Sequence, residues 1–368
     1  VLKMLSKLIR NSLFKNTGVY TVTNIINSAI PFFLLPVLTR HLTPEDYGIV
    51  SMFTLLITFT TPFTGLSVGG AIARQFYNQE ETNIWTFVFN CIVILVLSTF
   101  VVGIIFLLFS DNIARIASFP VQMLWTVVLF SFSQFLINIV LTLWQVQQKP
   151  LLYGVFNNLN TLANAVLSIG LVVGLGLGWK GRIYSQLMVM IIFAVIAVFI
   201  LFKNGWINVK FNKNYISNAL KFGIPIIPHT LSGSIISMTD RLFISSMVGL
   251  ATTGVYTVGY QIGSIINLLA SSFNNAYVPW LYQKLKEDKY DTKVKIVKFT
   301  YMYFICILIL ALALGFISPY FLNIFLGRSF NSSSKYVLWV AMGYAFNGMY
   351  FMVVNFIFYA QKNNFLAM

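Results

Sequence analysis

Apolar blocks recur along nearly the whole chain, separated by short polar stretches, and most exceed the length of a soluble core helix. At 1.5 Å per residue, roughly 20 apolar residues cross the hydrocarbon core of a bilayer. The blocks predict ten membrane-spanning helices, near 17–38, 47–70, 84–109, 121–146, 151–178, 182–202, 218–248, 254–280, 299–325 and 335–360. An eleventh is expected to start after Lys362, as if the sequence were cut short. The segment before the first block sets Lys3, Lys7, Arg10 and Lys15 among Leu5, Leu8, Ile9 and Leu13, the pattern of a basic amphipathic helix lying on a membrane surface.

Composition agrees with that pattern. Of 368 residues, 58% are hydrophobic and only 9% charged, where a soluble domain carries about a quarter charged residues. The net charge of +15 would suggest nucleic acid in a soluble protein, but no nucleic-acid-binding motif is present. Its distribution gives a better account. Of the 24 Lys and Arg, seventeen fall in alternate segments at 1–16, 71–83, 147–150, 203–217, 281–298 and 361–364, counting Lys221 with its neighbouring loop. The other side holds six, namely Arg40, Arg115, Lys180, Arg182, Arg328 and Lys335. The positive-inside rule then puts the N-terminus in the cytoplasm. Two cysteines far apart in apolar blocks, with two histidines, make disulfide scaffolds and zinc sites poor readings, and no cofactor is expected.

The polar stretch 203–217 divides the chain after six spans. It predicts a basic interfacial helix (1–16), an N-terminal six-span bundle (17–202), a cytoplasmic linker (203–217) and a C-terminal bundle (218–368) with spans 7–10 and the start of span 11. A weak echo supports duplication: Tyr47-Gly48-Ile49-Val50 opens span 2, and Thr253-Gly254-Val255-Tyr256 opens span 8.

Polar residues inside spans are the candidates for function, because facing lipid would cost several kcal/mol. Span 7 carries Thr230, Ser234, Ser237 and Arg241 on one face, with His229 and Asp240 on the adjacent strip. As sequence neighbours, Asp240 and Arg241 are not expected to face each other. Span 2 has Thr60, Thr64, Ser67 and Arg74; span 4, Gln134, Asn138, Thr142 and Gln145; span 5, Asn157, Asn160, Asn164 and Ser168; span 8, Gln261, Ser264, Asn267, Ser271 and Asn274. One stripe alone is helix–helix glue, worth about 0.6 kcal/mol per hydrogen bond. Five stripes in both halves fit a water-accessible cleft lined with groups that bond sugar hydroxyls.

Other signals read as structure. Gly170, Gly174 and Gly178 form a small-residue ridge expected to pack closely on another helix. Thr43-Pro44-Glu45-Asp46 predicts a helix cap opening span 2. Pro31, Pro36 and Pro62 are expected to kink spans 1 and 2, and Pro225 and Pro228 to bend span 7. The run from Lys284 to Lys298 reads as a solvated inner helix against anionic lipid.

Three stretches carry a family resemblance: Arg40-His41-Leu42-Thr43-Pro44-Glu45-Asp46-Tyr47-Gly48; Gly65-Leu66-Ser67 leading to Ala73-Arg74-Gln75-Phe76-Tyr77; and Phe222-Gly223-Ile224-Pro225-Ile226-Ile227-Pro228-His229 with Thr239-Asp240-Arg241-Leu242-Phe243-Ile244 and Gly254-Val255-Tyr256. In their order and span positions they resemble the bacterial polysaccharide flippases of the multidrug/oligosaccharidyl-lipid/polysaccharide exporter superfamily. The resemblance implies an all-α polytopic membrane protein of two inverted-V bundles of six spans each, the second truncated here, in the bacterial inner membrane. It implies as substrate an undecaprenyl-pyrophosphate-linked oligosaccharide, the repeat unit of O-antigen or capsule, moved by alternating access. A polysaccharide polymerase and a chain-length regulator are the implied partners, alongside membrane lipids.

Arg is suited to phosphate, so Arg241 and Arg74 are the expected pyrophosphate ligands. Ser237, Ser234, Asn138, Gln134, Asn164, Gln261 and Asn267 would accompany the sugar, and Asp240 or His229 would couple an ion. Export of cationic drugs by a relative in the superfamily is the competing transport reading, but Asp240 alone among nine acidic residues lies clearly inside a span. A membrane enzyme such as a sugar polymerase would need paired carboxylates, whereas the outer loops are short and Glu45 and Asp46 there are expected to be engaged in the helix cap.

Overall fold

A computed structural model describes residues 12–78, 83–287 and 289–360; the basic segment 1–11 and the start of an eleventh span fall outside them. The described chain is helical throughout, in thirteen α-helices joined by short turns. The first unit contains α1 (Ser12–His41), α2 (Pro44–Thr60), α3 (Gly69–Phe76), α4 (Ile84–Leu108), the short α5 (Ser110–Ile116), α6 (Leu124–Val146), α7 (Pro150–Ile169), α8 (Gly178–Lys203) and α9 (Lys213–Met247). Helix α10 (Leu250–Gly263) leads into α11 (Ile265–Lys286), α12 (Tyr290–Phe325) and α13 (Ser334–Tyr359). Among the described residues seven helices are long and apolar enough to cross a membrane, corresponding to seven of the ten expected spans. The other three are the second, seventh and eighth, which carry three of the five polar stripes. The second is interrupted between Thr60 and Gly69 and the eighth at Ser264, while the seventh is one long but polar helix.

The start of α2 shows how local sequence sets an element. Thr43 accepts from the Asp46 N–H at 3.1 Å, and the Asp46 carboxylate accepts from the Thr43 N–H at 3.0 Å, with Pro44 in the first turn. This is the expected capping box, satisfying two otherwise orphaned donors. The prolines behave unequally. Pro31, Pro36, Pro225 and Pro228 sit inside continuous helices, whereas at Pro62 the helix has given way to a run of hydrogen-bonded turns over residues 61–68.

Compactness divides the chain into Val1–Gly254 and Val255–Met368. The expected repeat boundary at 203–217 is a different criterion, and the reason the two differ is visible. The segment after α8 is bonded to α4: Asn90 donates from Nδ2 to the Lys210 carbonyl (2.9 Å) and accepts from the Asn212 N–H (3.0 Å). Trp206 stacks on Trp85 at 6.0 Å. Helix α9 then packs on α2, α3 and α4.

The first unit has two apolar clusters. One joins Ile72, Phe87, Leu95, Ile139, Leu143 and Leu201; the other joins Met52, Phe53, Phe119, Val127 and Ile183. The second unit packs α11, α12 and α13 around Ala270, Ala311, Ala341 and Ala345, small residues that let helices approach closely. The exposed Val96, Phe100, Leu107, Phe199, Ile305 and Phe316 are what a lipid-facing surface requires.

The two echoed motifs meet within the first unit. A Cβ on Gly48 would lie 2.1 Å from the Leu250 carbonyl oxygen, and one on Gly254 would lie 1.9 Å from that of Pro44. Each glycine abuts the residue four positions before its counterpart.

One expected packing ridge is not formed. A Cβ on Gly170, Gly174 or Gly178 would meet nothing within 4 Å. Gly170–Gly174 form a π-helical turn ending α7, and Gly178, at φ +55°, begins α8. These glycines serve the helix-to-helix turn. The spacing matched a packing motif, but the backbone leaves the α-helix before the ridge can form.

Candidate functional site

The break in the second span builds the candidate site. Helix α2 ends at Thr60, and the chain runs through Thr61-Pro62-Phe63-Thr64 into three consecutive left-handed residues, Gly65 (φ +81°), Leu66 (φ +49°) and Ser67 (φ +53°). For Leu66 and Ser67 this conformation costs about 1–2 kcal/mol each. Neighbours hold it in place. The Gly65 N–H donates to Ser98 Oγ at 2.8 Å, and a Cβ on Gly223 of α9 would lie 2.2 Å from the Leu66 carbonyl oxygen. Persistent strain that surrounding structure over-determines is a feature of functional sites.

Beside the break lies a cleft of about 420 Å³ lined by Thr58, Thr61, Thr64, Ser67, Gln134, Asn138 and Thr230, together with Gly69 and Gly70 at the start of α3. Three spans thus contribute their stripes to one place. Thr61 Oγ1 bonds Gln134 Oε1 at 3.4 Å, tying α2 to α6. Helix α3 begins there with no side-chain cap, so the positive end of its dipole faces a polar space. Arg74 lies one helical turn beyond Gly70, exposed, with its guanidinium 5.9 Å from the centre of the Phe222 ring. Larger concavities exist, of about 650 Å³ between α1 and α7 and about 800 Å³ between α4 and α6. Their walls are almost wholly aliphatic and aromatic, which suits hydrocarbon rather than a polar headgroup.

The other sequence candidates are dispersed. Arg241 is only 4% exposed and does not line the cleft. Its Nη1 donates to the Ser237 carbonyl at 2.6 Å and to Asp240 Oδ1 at 3.2 Å. The expectation that Asp240 and Arg241 do not face each other is therefore corrected. The long arginine side chain folds back one turn along its own helix and meets the carboxylate there. Ser234 and Ser237 donate to helix carbonyls at 3.0 and 3.2 Å. His229 is exposed on α9 beside Thr230. Gln261, exposed, and Asn267, half-buried, flank the break at Ser264. Asn274 of the same stripe bonds Asn355 at 2.7 Å, so there the stripe acts as interhelical glue.

Asn164 belongs to a separate polar cluster. Arg182 donates to its Oδ1 at 2.6 Å and also to Ser168 Oγ, which pairs with Ser185 Oγ at 2.6 Å. Sequence reasoning placed Arg182 in an outer loop. It lies instead within α8, turned onto the polar face of α7. The Asn164–Ser168 stripe is the signal that should have paired it. Thr58 and Thr61 were missed because a continuous span was assumed through Pro62 and Gly65.

Residues 13–285 match the profile of a family described as polysaccharide biosynthesis protein. The chain belongs to this family. Similar proteins include one of the Lsg locus of Haemophilus influenzae, 25% identical over 364 residues (96% of this chain and 86% of that protein). The capsular polysaccharide biosynthesis protein CapF of Staphylococcus aureus is 23% identical over 359 residues, or 90% and 82% of the two chains. Among solved structures, an inward-facing multidrug resistance MATE family transporter of the MOP superfamily aligns with a TM-score of 0.65 at 14% identity, covering 91% of this chain and 81% of that one. A MATE structure in complex with Br-NRF aligns at 0.60 and 15%, covering 98% and 99%. At such identity these neighbours establish the fold alone: this polysaccharide biosynthesis family member is a multi-pass, all-α membrane protein.

Proposed function

We propose that this family member is a flippase that moves an undecaprenyl-pyrophosphate-linked oligosaccharide repeat unit across the bacterial inner membrane by alternating access, with its N-terminus in the cytoplasm. The observation that carries the reading is the polar cleft at the interrupted second span. Hydroxyl and amide groups of Thr58, Thr61, Thr64, Ser67, Gln134 and Asn138 line it, and such groups replace water around sugar hydroxyls. In this reading Arg74, one helical turn beyond Gly70 and not itself a lining residue, would offer positive charge to a pyrophosphate at the margin of the cleft, while the lipid tail stays in the bilayer.

Arg241, held by Asp240, sets the charge of α9, and Asp240 or His229 couples an ion. The product would pass to a polymerase and a chain-length regulator. Cationic-drug export is the weaker reading, since such a cavity would call for carboxylates and none lines the cleft.

The test is transbilayer movement of a pyrophosphate-linked polyprenyl oligosaccharide in proteoliposomes. Gln134→Leu with Asn138→Leu should lower the rate at least tenfold at unchanged protein content. Unimpaired movement in that double variant would remove the cleft from the pathway. Failure of the wild type to move a matched lipid-linked sugar would sink the flippase reading itself.

A further inference from the structure

The concavity of about 800 Å³ between α4 and α6 has no part in the proposed function. Its size falls within the roughly 300–1,000 Å³ of ligand sites. Apart from Thr99, Gly103 and Ser110 its lining is aliphatic and aromatic, with Phe100, Trp125 and Phe132 among the walls. From Val96 to Leu107 it runs about 16 Å along α4. One leaflet, half of the roughly 30 Å hydrocarbon core, has that depth. Gly103 lies part-way along the groove, and a Cβ there would meet nothing within 4 Å. Glycine inside a helix carries an entropic cost, and no neighbouring helix comes close enough here to require it. Its effect is to deepen the groove.

The groove ends at a charged helix. Helix α5 begins at the lining residue Ser110 and packs against α4 and against the turn Val121–Met123, which supplies Val121 to the opposite wall. Ala114 is buried, whereas Asp111, Asn112 and Arg115 are exposed. Asp111 and Arg115 stand one helical turn apart on the same face, yet among the described residues neither is in an ion pair. Arg115 Nη2 donates instead to Asn112 Oδ1 at 3.0 Å. A separate carboxylate and guanidinium at the mouth of a leaflet-deep apolar groove complement a headgroup that carries both signs. A purely anionic headgroup, the pyrophosphate of the proposed substrate included, would meet Asp111 as a like charge.

We infer that the α4–α6 groove binds one zwitterionic phospholipid with a phosphate–ammonium headgroup. An acyl chain fills the groove over Gly103, Arg115 bonds the phosphate and Asp111 the ammonium. In the proposed topology this is the outer leaflet; the site does not otherwise depend on the flippase reading.

Trp125 lines the groove and is half exposed, so it reports occupancy. The test reconstitutes the full chain and a Trp125→Phe variant in phosphatidylglycerol vesicles. These hold an equal, low mole fraction of either brominated-chain phosphatidylethanolamine or brominated-chain phosphatidylglycerol, whose bromines quench nearby tryptophan. The difference between the two proteins isolates Trp125. Two exposed ion pairs predict that phosphatidylethanolamine quenches it about threefold more strongly. That preference should vanish in Asp111→Asn with Arg115→Gln, and Gly103→Leu should weaken quenching by both lipids. Equal quenching marks ordinary boundary lipid and overturns the inference, as does a stronger effect of phosphatidylglycerol. So does a preference that survives undiminished in the double variant. Trp125 quenched by neither lipid means that protein fills the groove, with the same consequence. Asp111 and Arg115 are exposed, so replacing them leaves the core intact; should Gly103→Leu not fold, the headgroup comparison decides alone.

Discussion

Replacing Gly65 by alanine would strike the break in the second span at its tightest point. The new methyl group would lie 2.3 Å from Cε2 and 2.5 Å from Cδ2 of Phe135, and the residue would be held at φ +81°. The dihedral penalty for a non-glycine residue there is about 1–2 kcal/mol, and overpacking against a buried ring adds about 1–3 kcal/mol. The expected loss is about 2–5 kcal/mol, larger than most single substitutions produce. The two parts are separable. Shortening Phe135 to leucine relieves the clash but leaves the dihedral cost. In a double-mutant cycle Gly65→Ala and Phe135→Leu should therefore couple favourably by about 1–3 kcal/mol. Unfolding of the purified protein in mixed micelles, followed by tryptophan fluorescence, gives the four stabilities. A Gly65→Ala protein within about 0.5 kcal/mol of wild type would show that the left-handed run is not fixed as described. Strict additivity with Phe135→Leu would show that the ring is not what the methyl group meets.

Three further expectations follow from the same reasoning. Gly254→Ala, whose Cβ would lie 1.9 Å from the Pro44 carbonyl oxygen, should cost about 1–3 kcal/mol, as should Gly48→Ala. A neutral result for both would argue against the reciprocal contact and is read in the same unfolding assay. Thr43→Ala removes the side-chain acceptor of the capping box and should cost about 1 kcal/mol, while Thr43→Ser should cost far less. At the exposed end of α11, the Lys284 ammonium, 2.7 Å from Glu287 Oε1, holds the Glu287 carboxyl below its ordinary range. Lys284→Gln should move it upward in an NMR titration. Because the folded value is the lower one, any stability from the pair is present above the unfolded carboxylate value and fades as pH falls through the folded one. An unchanged titration would remove Lys284 as the cause.

Apolar runs by themselves determined that this chain is a membrane protein and located the seven long apolar helices, because hydrocarbon demands about 20 apolar residues in a row and full internal backbone bonding. The capping box was equally legible, since Thr43 and Asp46 interact across three residues. The polar stripes named Gln134, Asn138, Thr64, Ser67 and Thr230, and the fold brings these five to one cleft. Tertiary structure decided everything that depends on who faces whom. Asn274 is committed to Asn355, and Asn164 is committed to Arg182. A stripe records that a face avoids lipid, and both a binding cleft and a helix–helix contact satisfy that condition. The left-handed run at Gly65-Leu66-Ser67 was likewise out of reach, because Leu66 and Ser67 resist it on their own. Long-range contacts to Ser98 and Gly223 hold them there.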